Sequence, residues 1–77
     1  MYLNKKRKEA LKLYIEQIEA NKDEIESLMD DEECAKDGLE EHFSETDRYL
    51  VMENNVEYFQ DAITLLEETI DLLNSIE

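Results

Sequence analysis

Seventy-seven residues with no Pro, no Trp, one Gly and one Cys describe one small, charge-rich domain of the kind that forms long helices. Twenty-two acids against eight Lys and Arg give a net charge of −14, which opposes DNA, RNA and anionic membranes as direct partners over most of the surface. A lone Cys34 forms no internal disulfide and suits a reducing, cytoplasmic setting, and no apolar run approaches the roughly 18 residues of a membrane span.

The chain begins with a basic segment. Asn4 to Lys8, NKKRK, has no apolar stretch behind it, so no secretory leader is expected. Asn4 is a candidate N-cap for a first helix. Residues 1–13 carry five bases against one acid, a net of +4, and residues 14–77 therefore carry −18. Leu11, Tyr14, Ile18, Asn21, Ile25 and Leu28 then follow at alternating steps of three and four, which predicts one stripe of a helix. Asn21 is its polar member. An isolated amide in such a stripe fixes register, and hydrogen bonding to Gln60 or across a dimer is expected.

The stretch 28–47, LMDDEECAKDGLEEHFSETD, holds the only Cys, Gly and His of the chain: Cys34, Gly38 and His42. A glycine takes the left-handed conformation of a helix C′ position without steric cost, so Gly38 predicts a helix end, with Leu39 folding back on Cys34. Ser44 followed by Asp47 predicts the next helix start. The expected elements of this single domain, 1–77, are a helix over 5–37, a tip over 38–44 and a helix over 45–76. The consecutive acids Asp30, Asp31, Glu32 and Glu33 fan around a helix axis rather than converge. No calcium-loop pattern is present, and one Cys with one His does not make a structural zinc site. A Cys34–His42 pair lacks a third residue to orient it. No catalytic, cofactor or metal site is expected, and the chain reads as non-enzymatic.

In the second helix Tyr49, Met52, Val56, Phe59, Ile63, Leu66, Ile70 and Leu73 repeat the alternation with no polar interruption, the pattern of a core seam. Two helices of similar length, about 48–50 Å each, joined by a short tip predict an all-α, coiled-coil-like antiparallel hairpin. In it Lys5–Lys12 lies beside Glu67, Glu68, Asp71 and Glu77, an electrostatic clamp at the negative end of the second helix dipole. Residues 23–47 carry twelve acids and one base. Asp30, Asp31, Glu32, Glu33, Asp37, Glu40 and Glu41 are therefore the candidate acidic surface for a basic host protein. Lys5–Lys8 of several copies could alternatively hold a small ligand. A further stripe, Val51, Tyr58, Ala62, Leu65, Leu72 and Ile76, runs beside the second seam. One partner helix covers one stripe, so a homodimer is expected, a four-helix bundle with Val51, Tyr58, Leu65, Leu72 and Ile76 at its interface.

From Asp31 onward, DEECAKDGLEEHFSETDRYLVMENNVEYFQDAITLLEETID resembles a class of small acidic proteins of bacterial mobile elements and prophages. Their pattern is a D-E-E start, an A-x-D-N-L-P-E-S-L bend, then S-E-R, M-E and A-I-x-x-L-E-E-A-I-D. It is matched at Asp31, Glu32, Glu33, Ala35, Asp37, Leu39 and Glu41, then at Arg48, Met52, Glu53, Ala62, Ile63, Glu67, Glu68, Ile70 and Asp71. Gly38 and Glu40 depart from the Asn and Pro of the bend, and Tyr49, Tyr58 and Phe59 add aromatics. The resemblance implies a helical hairpin and a mobile-element origin, and brings no activity with it. Two functions follow as expectations: a protein–protein interaction or assembly adaptor acting through apolar stripes, or an acidic DNA mimic or anti-defence inhibitor that occupies a basic nucleic-acid-binding groove.

Overall fold

Asn4 starts the first helix as its local chemistry requires. Its side-chain Oδ1 accepts a hydrogen bond from the backbone N–H of Arg7 at 2.8 Å, and its carbonyl accepts from the N–H of Lys8 at 3.0 Å. The computed structural model describes residues 3–43 and 47–77 and, of residues 40–43, the backbone. Helix α1 spans Lys5–Phe43 and helix α2 spans Asp47–Asn74. All regular structure among the described residues is helical. At its end α2 tightens, with Ser75 N–H donating to Leu72 O and Ile76 N–H to Leu73 O. Leu3 N–H then donates to Glu77 O at 2.7 Å and ties the two chain ends together.

The helices run antiparallel and pack along their length. Leu3 meets Glu77 at one end, Lys22 reaches Glu67 in the middle, and Lys36 lies over the Tyr49 ring toward the other end. The result is a rod of 58 × 17 × 12 Å with a radius of gyration of 17.7 Å, against about 11–12 Å for a compact chain of this length. Its core is thin: among the described residues Ile15, Ile63 and Ile70 are buried, and no side chain is completely enclosed.

The α2 seam is the expected one, with Ile63 and Ile70 buried and Tyr49, Met52, Val56, Phe59, Leu66 and Leu73 half-buried. The α1 seam is shifted. Leu11, Ile18 and Ile25 face α2 as expected, but the alternate members are Ile15, Lys22 and Met29 in place of Tyr14, Asn21 and Leu28, which are exposed. The seam then continues through Glu32, Lys36 and Leu39, all half-buried. A lysine serves in a seam when its apolar stem packs and its ammonium reaches an acid. Lys22 Nζ does so, 3.5 Å from Glu26 and 3.6 Å from Glu67. Asn21 is therefore not the register-fixing core amide.

The tip also differs from expectation. Helix α1 does not end at residue 37 but runs through Gly38 to Phe43, and no glycine has a positive φ. At about 1.5 Å per residue, α1 is roughly 58 Å long and α2 roughly 42 Å, so the two are unequal. The seam explains the extension. Leu39 is its next position, and packing there outweighs the roughly 1 kcal/mol helix cost of one glycine. Leu39 consequently stays in register with α2 instead of closing a cap on Cys34. The expected Ser44 cap lies outside the described residues. A Cβ at Gly38 meets nothing within 4 Å, so Gly38→Ala should raise stability by about 0.5–1 kcal/mol in thermal melts. A lowered melting temperature would restore the left-handed cap.

Candidate interaction surfaces

The two seams divide each helix into sides. With Ile15, Lys22, Met29 and Lys36 at heptad position a and Leu11, Ile18, Ile25, Glu32 and Leu39 at d, α1 carries charged residues throughout rows b and e from Glu9 to Asp37. Glu16, Glu19, Asp23, Glu26, Asp30, Glu33 and Asp37 form an unbroken line of seven carboxylates at steps of three and four. They span about 32 Å, one carboxylate per ~5 Å of helix axis. Lys22 borders this line. Partial burial lowers its pKa, but Glu26 and Glu67, with Asp23 nearby, more than offset that and hold the ammonium above its ordinary 10.5.

The opposite side is nearly free of charge. On α2, rows c and g hold Val51, Tyr58, Leu65 and Leu72 with Asn55, Ala62 and Thr69, seven residues without a charge that follow Arg48, and Ile76 continues the stripe just past the helix end. On α1 the equivalent rows hold Ala10, Tyr14, Gln17, Asn21, Leu28, Ala35 and Gly38, with Arg7, Glu24 and Asp31 as their charges. Because the helices are antiparallel, like-lettered flanks fall on the same side of the hairpin. Two adjoining depressions show this directly. Both are floored by Glu32 and Phe59, one walled by Leu28 and Asp31 and the other by Asn55, Tyr58 and Ala62. Tyr58 is 73% exposed, Leu72 71% and Leu65 62%, values far outside those of large apolar side chains with a partner.

Two polar side chains on this side are already engaged. Asn55 Nδ2 donates to Glu32 Oε2 at 2.8 Å, and Thr69 Oγ1 donates to Leu65 O of its own helix at 2.8 Å. Glu32, expected as part of the exposed acidic surface, is thus a half-buried strut between the helices. Asp30, Asp31, Glu33 and Asp37 are exposed; Asp30, Glu33 and Asp37 belong to the carboxylate line, whereas Asp31 falls on the opposite side of α1. The side chains of Glu40, Glu41 and His42 lie outside the described residues. Cys34 is exposed. Among the described residues no three His, Cys, Asp or Glu side chains come together to hold a metal ion, and no helix is long and apolar enough to cross a membrane.

At the open end Lys8 and Lys12 line a shallow cleft with Leu11, Ile15, Leu73 and Ile76, and Glu16 and Glu19 share it. The basic segment does lie beside the end of α2, and Lys22, about three turns beyond Lys12, forms an ion pair with Glu67 that bridges the helices. Two features escaped the sequence reading: the seven-carboxylate line and the Lys22 bridge. The first was legible as a three–four alternation of acids. The second depends on a partner 45 residues away.

No family model, curated protein or solved structure matches the chain.

Proposed function

We propose that this chain is a non-enzymatic protein–protein interaction module, an assembly adaptor of mobile-element origin that works in the bacterial cytoplasm. The observation that carries this reading is the sidedness of the hairpin: seven uncharged residues from Val51 to Leu72 in rows c and g of α2, with Tyr58, Leu65 and Leu72 more than half exposed. Apolar patches of that extent on small proteins mark association surfaces. The likeness of residues 31–71 to small acidic mobile-element proteins supports the origin, and an unpaired, exposed Cys34 fits a reducing compartment.

A second reading has its own observation. The line of seven carboxylates from Glu16 to Asp37 presents a regular array of negative charge, which favours an acidic DNA mimic docking on a basic groove. Ionic strength separates the two. With the chain immobilised and exposed to a bacterial lysate, an adaptor retains its partners from low salt to about 0.5 M, because burial of apolar surface is not screened. Retention that falls steeply over that range, and is lost on Asp23→Asn/Asp30→Asn/Asp37→Asn, identifies the mimic and removes the adaptor reading.

A further inference from the structure

We infer that the uncharged side is covered by a second copy of the chain, and that the two hairpins lie antiparallel, each tip over the open end of the other. The inference rests on the adaptor reading of that side and names its first occupant.

Three observations carry it. The first is area. The hairpin exposes 6170 Å², about 1,200 Å² more than a compact chain of 9.2 kDa exposes. Covering that excess on two copies removes roughly 2,400 Å², the range of obligate homodimers. With three buried side chains among the described residues, the hairpin has little core of its own, and a chain this small needs more. The second is polar satisfaction. Asn55 and Thr69, polar members of the uncharged flank of α2, already donate within the hairpin, so a second copy covers these side chains without orphaning those donors. The third is charge. Residues 1–13 carry +4 and offset Glu67, Glu68, Asp71 and Glu77 at the open end, while residues 23–47 carry twelve acids and one base. Two hairpins packed through the same side obey a two-fold axis in the interface. If that axis runs along the rod, tip lies on tip and like charges stack. If it runs across the rod, the Lys5–Lys12 end of each copy meets the Glu33–Asp37 end of the other. The crosswise axis also sets α2 against α2, with Val51 facing Leu72 and Tyr58 facing Leu65.

Mass and one distance test this. The unmodified chain at micromolar concentration should scatter as a particle of twice 9.2 kDa. A spin label at Lys6→Cys in a Cys34→Ala background reports orientation. Both residues are exposed and neither lies on the uncharged side, so neither change disturbs the fold or the interface. The antiparallel dimer centred between Tyr58 and Leu65 places each label about twenty residues from the axis, counted through the Lys22–Glu67 and Glu32–Asn55 pairs, and separates the two by about 60 Å. Labels within about 30 Å, little more than the width of two packed helices, overturn the orientation. A folded, fully helical monomer overturns the dimer. That result leaves the adaptor reading standing, with the side open to another chain. A dimer whose partner capture is lost at high salt does the reverse.

Discussion

Ile63→Ala is expected to lower the unfolding free energy by about 2–5 kcal/mol, the usual cost of emptying a buried isoleucine site. Ile63 is 3% exposed, the most enclosed side chain among the three that are buried. A small domain has on the order of 5 kcal/mol in total, so this one truncation should remove most of it. Urea titration followed by far-ultraviolet circular dichroism measures the loss. Leu66→Ala, at the neighbouring half-buried seam position, should cost distinctly less. Equal costs at the two positions would mean that the α1–α2 seam is not the centre of the core.

Leu65→Glu/Leu72→Glu should abolish the cooperative helical transition at micromolar concentration. Both residues are exposed within one hairpin, Leu65 by 62% and Leu72 by 71%. Judged from the hairpin by itself, changing them would shift stability by no more than about 0.5 kcal/mol. In the proposed dimer each carboxylate enters a desolvated interface without a counter-ion, and a buried unpaired charge is among the most destabilising changes available. Leu50 is the control. It is also a large apolar residue, 50% exposed, but it sits on the opposite flank of α2. Leu50→Glu should leave mass and melting temperature unchanged. If all three positions tolerate Glu equally, the uncharged side has no occupant.

The same rows show how far local pattern reaches. The α2 seam was readable in full because eight apolar residues alternate without a competing pattern at the same phase. On α1 two alternations share Leu11, Ile18 and Ile25, and they differ by one residue at each intervening step. Side-chain polarity favours Tyr14 and Leu28 over a set that includes Lys22. The packed hairpin takes the set with Lys22 because that set buries Ile15, and Glu67 of α2 stands 3.6 Å from the Lys22 ammonium. That gain is not visible in either helix alone. Tyr14, Asn21 and Leu28 instead fall on the uncharged side, so the first pattern marked a real surface and assigned it to the wrong neighbour.

By itself the sequence determined the helical class, the Asn4 cap, the α2 seam, the separation of a basic end from an acidic tip, and the second apolar stripe on α2. Each of these depends on spacing along one helix or on the chemistry of one turn, and both are local. Tertiary structure alone decided three matters. Packing of Leu39 against α2 carried α1 through Gly38 to Phe43, against a local stop signal worth about 1 kcal/mol. Antiparallel register paired Lys22 with Glu67 and Glu32 with Asn55, turning two seam-breaking charges into interhelical bonds. The same register brought the g flanks of both helices to one side, so that two separate half-stripes became one face with few charges. The common reason is distance in sequence: each outcome sets residues of α1 against residues of α2, and no local period encodes which of them meet.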